Sequence, residues 1–166
     1  MLIEGNRRVV AGLDAAFRRN AAACVPTARV VDMYGPLDVF ELVPQRGAPL
    51  VPGDVIDHFS EGAKRCGALE YVADSHYFES VVEHAKRNKM RASEGYADKE
   101  TAYIGARIIA NKGGFALAGF DRLATQFKET KQKPLPSGRL HIFSDGASSS
   151  SHGDVASAYV EAVDFL

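Results

Sequence analysis

Residues 7–14 read RRVVAGLD, and this stretch decides the fold. Two arginines are followed by apolar and β-branched residues, and the run stops at the carboxylate of Asp14. Such a run is typical of a buried β-strand, which we expect to end at Asp14. The rest of the sequence indicates which strands belong to the same sheet and which other acids lie near the end of this strand.

Two further strands are predicted soon after the first, over Ala21 to Val31 and within Asp38 to Gln45. Glycines and prolines separate the three runs, which is typical of a meander of antiparallel strands. Farther along, apolar residues at helical spacing alternate with short strand-like runs. Three antiparallel strands followed by alternating helices and strands predict an α/β domain with a mixed central sheet flanked by helices.

The later elements are predicted from apolar periodicity, capping residues and breakers. In chain order they are a helix opened by Pro52-Gly53-Asp54 and running through Gly67, a strand over Leu69 to Asp74, a helix from Tyr77 to Asn88, a short strand including Met90 and Arg91, a helix capped by Asp98 and ending near Asn111, a helix from Phe120 to Lys131, a strand from Arg139 to Phe143, and a last helix from about Gly153 to the end.

The charge of the chain is unevenly distributed. Its 166 residues, enough for one domain, carry 20 Lys and Arg against 21 Asp and Glu, a formal net charge of −1. Between Lys86 and Arg139, however, twelve basic residues stand against five acidic ones, so this segment has a net charge of +7. A neutral total therefore remains compatible with a nucleic-acid partner.

Several classes of protein are excluded by missing motifs. No apolar run approaches the roughly 18 residues of a membrane span, and the first residues lack the layout of a signal peptide, so we expect no membrane association. Cys24 and Cys66 lie far apart, without the CxxC spacing of a zinc site or the number of a disulfide framework. HExxH, GxSxG and dinucleotide-binding patterns are also absent, and Ser148 to Ser151 indicate a loop.

Three aspartates are the candidates for chemistry. Asp14 and Asp74 each close a predicted strand, and Asp154 lies where the last helix begins. Sites in open α/β sheets gather beyond the carboxyl ends of strands, where carboxylates crowded together would favour a hard divalent cation such as Mg²⁺. The competing interpretation is local, because an aspartate after a strand is commonly a turn former and one in a first turn commonly stabilises the helix.

The local contexts of the three acids resemble those of one family, the nuclease domains of large terminase subunits from tailed bacteriophages. VVAGLDAAF at residues 9–17 resembles the opening of that domain, YVAD at 71–74 stands at its second acid, and SHGDVASA at 151–158 resembles its third acidic motif. The stretch from Phe120 to Lys133 also fits the layout of the family. The resemblance covers nearly the whole chain, and its strength lies in the ordered set of motifs.

The resemblance implies an RNase H-like fold and a metal-dependent endonuclease that cuts double-stranded viral DNA concatemers during genome packaging. By that likeness two divalent cations, Mg²⁺ or Mn²⁺, are expected, with Asp14 bridging both and Asp74 and Asp154 each helping to hold one. His152 is a candidate orienting group near the metals, or simply a polar loop residue. Asp145 is a candidate extra ligand, and the family's fourth acidic position stays unassigned.

The basic segment supplies candidate phosphate contacts, which would give salt-sensitive, sequence-tolerant binding to double-stranded DNA. The alternative is that these residues bind no ligand and are solubilising charges on exposed helix faces. The candidates are Lys86, Arg87, Lys89, Arg91, Lys112, Lys128, Lys131 and Lys133.

The wider context also follows from the resemblance. Large terminases carry an ATPase motor domain, whereas this sequence has no GxxxxGK[ST] phosphate loop, so residues 1–166 are expected to form the C-terminal nuclease domain of a larger protein. That domain would act in the cytoplasm of the infected host, with the motor domain, the portal and the small terminase subunit as partners. The alternatives are another RNase H-like nuclease, such as a Holliday-junction resolvase, and a non-catalytic DNA-binding or docking domain.

Overall fold

The computed structural model describes residues 7–15, 21–45, 48–144 and 153–166, and within them the chain forms eight strands and five helices. The order of elements is β1 (Arg8–Asp14), β2 (Ala22–Val30), β3 (Met33–Pro36), β4 (Phe40–Leu42), α1 (Pro52–Arg65), β5 (Glu70–Ala73), α2 (Phe78–Arg87), β6 (Arg91–Glu94), α3 (Lys99–Asn111), α4 (Asp121–Glu129), β7 (Thr130–Pro134), β8 (Leu140–Ser144) and α5 (Asp154–Phe165).

Strand β1 lies at the centre of a mixed six-stranded sheet with the order β3-β2-β1-β5-β6, and β4 pairs with the other end of β2. On one side β1 is antiparallel to β2, and on the other it is parallel to β5, which is parallel to β6 in turn. The predicted mixed sheet is therefore confirmed. The meander differs in detail, because the strand expected within Asp38 to Gln45 is the short β4, and β3 forms before it.

Helix α5 covers one face of the sheet, and helices α1 and α2 cover the other. Residues 155–163 of α5 are all buried, since the helix is apolar around most of its circumference and packs on β1, β2 and β5. On the opposite face, Phe59 of α1 packs in one buried cluster with Leu13 of β1 and Tyr71 of β5. No helix in the described ranges has the length and apolar character needed to cross a membrane.

Gly12 permits an unusually close approach between β1 and α5. A Cβ atom at this position would lie 1.8 Å from the backbone oxygen of Ala158 and 3.0 Å from the Cβ of Ala162. A side chain there would displace the helix, because backbone atoms cannot rotate out of the way. The absence of a side chain at Gly12 thus sets the distance between the helix and the central strand.

The segment after α4 differs from the prediction. A helix was expected to continue to Lys131, but α4 ends at Glu129 and the chain turns directly into β7. Pro134 and Pro136 cannot continue a helix, and β7 pairs residue by residue with β8 across a turn closed by Gly138, whose φ is 81°. The closing strand β8 therefore belongs to a separate two-stranded sheet and does not join the central one.

The close approach at Gly12 predicts a large stability difference between two matched glycine substitutions. Gly12→Ala should lower the free energy of unfolding by about 1–3 kcal/mol or more, because the added methyl group meets a backbone oxygen. Gly105→Ala, within α3, should raise it by about 0.5–1 kcal/mol, since nothing lies within 4 Å of its added Cβ and alanine is the better helix former. Urea unfolding followed by circular dichroism measures both changes, and equal stability of the two variants would contradict the packing described.

Candidate active site

The parallel pairing of β1 and β5 brings two acids to the same edge of the sheet. Leu13 pairs with Ala73, and the next residues along the two strands are Asp14 and Asp74. Adjacent strands lie about 4.8 Å apart, so the two aspartates emerge side by side at the carboxyl ends. Both side chains are partly exposed, which leaves them open to solvent and to ligands.

Helix α5 adds a third acid from a distant part of the chain. Asp154 is its first residue, follows Gly153 in the left-handed conformation with a φ of 87°, and is only 4% exposed. One turn later, Ser157 donates a hydrogen bond to the carboxylate of Asp14. The structure therefore brings Asp14, Asp74 and Asp154 into one region.

The acids act on each other electrostatically. Burial, together with the carboxylates of Asp154 and Asp74, raises the pKa of Asp14 from 3.8 to about 7, although the hydrogen bond from Ser157 and the positive charge of Lys99 act in the opposite direction. A carboxyl group with such a pKa is partly protonated at neutral pH. The site therefore favours a positive charge placed among these side chains.

Glu161 is a fourth carboxylate in this region, and sequence reasoning missed it. It is 1% exposed. Burial, together with the charges of Asp74 and Asp14, raises its pKa from 4.5 to about 8, although hydrogen bonds from Tyr96 act in the opposite direction. Its Oε2 atom accepts a hydrogen bond of 3.2 Å from the backbone N–H of Tyr96. The signal in the sequence was its spacing, because residues 154, 157 and 161 fall on one face of a helix.

Two tyrosines surround Ser157 and close the site on the side of α3. The hydroxyl groups of Tyr96 and Ser157 lie 3.5 Å apart, and Tyr103 also interacts with Ser157. Burial raises the pKa of both phenols, with the neighbouring carboxylates adding to the effect, so both stay protonated as hydrogen-bond donors. Ser157 is thus the centre of a polar network that orients Asp14.

Two of the aspartates also have the local structural roles that are common for this residue type, in a turn and in the first turn of a helix. Asp74 accepts a hydrogen bond of 2.9 Å from the backbone N–H of His76 through Oδ1, as a turn-forming aspartate does. Asp154 lies in the first turn of α5, where a negative charge stabilises a helix. These roles explain the residue type at each position, whereas the convergence of the positions on Asp14 has no such local cause.

The chemistry of the donor set fits a hard divalent cation. Its potential ligands are carboxylate oxygens, which Mg²⁺ and Mn²⁺ prefer, and the neighbouring donors are hydroxyl groups. The spacing alone does not define a metal centre, because within the described ranges no three His, Cys, Asp or Glu side chains are arranged as a metal-binding group. Asp14, Asp74 and Asp154 are the residues that would hold a cation here. Asp145 and His152, the other two candidates, lie outside the described residues.

The predicted phosphate contacts fall into two regions, and all of them are exposed. Lys86, Arg87, Lys89 and Arg91 lie around the start of β6, about 10 Å along that strand from the edge that carries the acids. Two of these residues form ion pairs, Arg87 with Glu83 and Arg91 with Glu70. This first group is therefore not brought together with the acids.

The second group lies on the side of α3 and the β7–β8 hairpin. Lys112 follows the far end of α3, Lys128 is in the last turn of α4, and Lys131 and Lys133 are on β7. The turn of the hairpin reaches the start of α3, where the backbone N–H of Leu140 donates a hydrogen bond of 3.0 Å to Glu100. Lys133 is two residues nearer to that turn than Lys131.

Comparison with solved structures identifies the fold. The large terminase of bacteriophage HK97 matches with a TM-score of 0.76 and 16% identity, over 100% of this chain and 41% of that chain. The large terminase nuclease of thermophilic phage G20c with bound magnesium matches with a TM-score of 0.67 and 12% identity, over 96% and 82% of the two chains. The nuclease domain of g2p, the large terminase of bacteriophage SPP1, with bound manganese matches with a TM-score of 0.59 and 13% identity, over 96% and 87%.

The comparison confirms the resemblance drawn from the sequence at the level of the fold, which is the RNase H-like fold of large terminase nuclease domains. The chain spans about two fifths of the length of the HK97 large terminase. No protein-family model and no curated protein matches the sequence.

The raised pKa values predict how stability depends on pH in the presence of EDTA. The folded state holds its protons more tightly than the unfolded chain, whose acids titrate near 3.8 and 4.5. Below about pH 4 both groups are protonated in the folded and the unfolded states, so they do not change the free energy of unfolding. As the pH rises to about 8, they lower the free energy of unfolding by an increasing amount. Asp14→Asn and Glu161→Gln should each make the decline of melting temperature with pH less steep.

The control for this measurement is Glu129→Gln, which removes an exposed carboxylate at the end of α4 and should keep the slope of the parent protein. Melting temperatures recorded by circular dichroism between pH 4 and pH 9 test the prediction. Two site variants with the slope of the parent protein would contradict the raised pKa values of these acids.

Proposed function

We propose that this protein is a metal-dependent endonuclease that cuts double-stranded viral DNA during genome packaging. The observation that carries the proposal is the convergence on Asp14 of acids from separate parts of the chain, Asp74 from the neighbouring strand and Asp154 from α5. It is supported by the fold, which is shared with terminase nuclease domains solved with bound magnesium or manganese.

Each acid has a distinct part in the proposed chemistry. Asp14, which interacts electrostatically with both other acids, would hold both cations, and Asp74 and Asp154 would each hold one. Two bound divalent cations would supply an activated water and stabilise the leaving oxygen of the phosphodiester. Ser157 keeps the Asp14 carboxylate oriented, and the buried helix α5 holds Asp154 against the sheet, so the ligands need little rearrangement.

Double-stranded DNA is the substrate that the charge distribution favours. Lys133 at the hairpin, with Lys128 and Lys131, would contact phosphates on the side of the site formed by α3. The basic group around the start of β6 would bind phosphates farther along the duplex. Contacts to phosphates alone carry no sequence information, so cleavage would be tolerant of sequence.

The proposed setting is the DNA-packaging motor. The chain matches a part of the HK97 large terminase, so we place it in a larger protein that carries an ATPase motor domain. The portal and the small terminase subunit would be its other partners, in the cytoplasm of the infected host.

Plasmid digestion tests the proposal. The protein should convert supercoiled plasmid to nicked and linear forms with Mn²⁺ or Mg²⁺, and EDTA should stop the reaction. Asp14→Asn, Asp74→Asn and Asp154→Asn should each lower the rate about a hundredfold or more, because each removes a carboxylate that would hold the cations at the reacting phosphate.

The matched control is Asp164→Asn, which removes an exposed carboxylate near the opposite end of α5 and should cut at the rate of the parent protein. Full activity in the three site variants would refute the proposal. Preferential cutting of four-way junctions over linear duplex would instead identify a junction resolvase. Duplex binding without any cutting in Mg²⁺ or Mn²⁺ would identify a non-catalytic DNA-binding domain.

A further inference from the structure

One lysine lies close enough to Asp14 for its charge to act on that carboxylate, and it has no part in the proposed metal chemistry. Lys99 is the first residue of α3, is exposed, and its positive charge lowers the pKa of Asp14 against the larger effect of burial. The described part of the chain contains no carboxylate within ion-pair distance of its ammonium group. The positive charge of Lys99 is therefore available to a ligand that approaches the site.

The side chain of Lys99 is oriented by a tyrosine of the site. Its Nζ atom lies 5.6 Å from the centre of the ring of Tyr103, one helical turn along α3. Tyr103 is 8% exposed and interacts with Ser157, the residue that donates a hydrogen bond to Asp14. The contact with the ring thus connects the ammonium group to the same polar network that positions the acid.

The carboxylates next to Lys99 in sequence are already engaged with other groups. Asp98 caps α3 by accepting a hydrogen bond of 3.1 Å from the backbone N–H of Thr101, and it forms an ion pair with Arg139. Glu100 accepts a hydrogen bond from the backbone N–H of Leu140 and lies 3.7 Å from Arg139. The turn of the hairpin therefore engages both neighbouring carboxylates, whereas the charge of Lys99 lies over the ring of Tyr103 and acts on Asp14.

We infer that Lys99 contacts a phosphate oxygen of the DNA strand at the acidic site and so positions the phosphodiester to be cut. This inference rests on the proposed function. The ammonium group supplies a point charge and three donors to an anionic oxygen, while Asp14, Asp74 and Asp154 would hold the cations. Lys99 was not among the basic residues that the sequence indicated.

Two variants and a matched control test the inference. Lys99→Ala should raise the KM for duplex DNA about tenfold, because a charged hydrogen bond to phosphate is lost, and Lys99→Arg should restore most of the affinity. Lys99 is exposed, so the alanine variant is expected to fold. The control is Lys64→Ala, which removes an exposed lysine near the end of α1 and should keep the KM of the parent protein.

Two further readouts distinguish a phosphate contact from a structural role. The slope of log affinity against log salt, measured by fluorescence anisotropy with a labelled duplex, should become less steep by about 0.9 in Lys99→Ala, as expected for one lost phosphate contact. Calorimetric titration with Mn²⁺ should show equal or tighter binding in Lys99→Ala, because a positive charge beside Asp14 has been removed. A structural disturbance would instead weaken binding of Mn²⁺.

The outcomes separate this inference from the proposed function. If the parent protein cuts DNA and Lys99→Ala matches it in KM and salt slope, the inference is wrong and the nuclease stands. If Lys99→Ala loses Mn²⁺ binding together with cutting, Lys99 acts on the metal site and the inference is also wrong. If the parent protein binds duplex without cutting it, the proposed function fails, and an unchanged salt slope in Lys99→Ala would refute the phosphate contact independently.

Discussion

The contact between β1 and α5 at Gly12 is the constraint on which the site depends. Because Gly12 has no side chain, the backbone of Ala158 approaches the central strand closely enough to fix the helix against it. Asp14 is two residues beyond Gly12, and Ser157 immediately precedes Ala158, so the same contact places the serine hydroxyl against the aspartate. Asp154 and Glu161, one turn to either side, acquire their positions from that register.

The buried acids of the site destabilise the fold that brings them together. Burying carboxyl groups near one another raises the pKa of Asp14 and Glu161, which means that their charged forms are disfavoured in the folded protein. Hydrogen bonds from Ser157 to Asp14 and from Tyr96 to Glu161 offset part of this cost, and Lys99 offsets another part at Asp14. Acids with strongly shifted pKa values in a region open to ligands are typical of functional sites.

The parts of the structure that depend on local signals could be predicted from the sequence. Asp14 and Asp74 end runs of strand-forming residues, and Asp98 precedes a helix that it does cap. Glu161 could not be assigned in this way, because an acid within a helix is ordinarily exposed and only the packing of α5 shows that it is buried. Likewise β7 consists mostly of polar residues, and its conformation depends on pairing with β8, which lies farther along the chain. Arg91 follows the second acid in sequence, but the direction of β6 places it beside Glu70, at the opposite end of the strands from Asp74.

The central claim is that Asp14, Asp74 and Asp154 form one cation-binding site at the carboxyl edge of β1 and β5. The most direct test is a crystal structure of the protein grown with Mn²⁺, with anomalous diffraction recorded near the manganese absorption edge. The account predicts an anomalous peak in contact with the carboxylate of Asp14 and with Asp74, Asp154 or both. A structure with well-defined acids and no peak among them, or with Mn²⁺ bound only elsewhere, would contradict it.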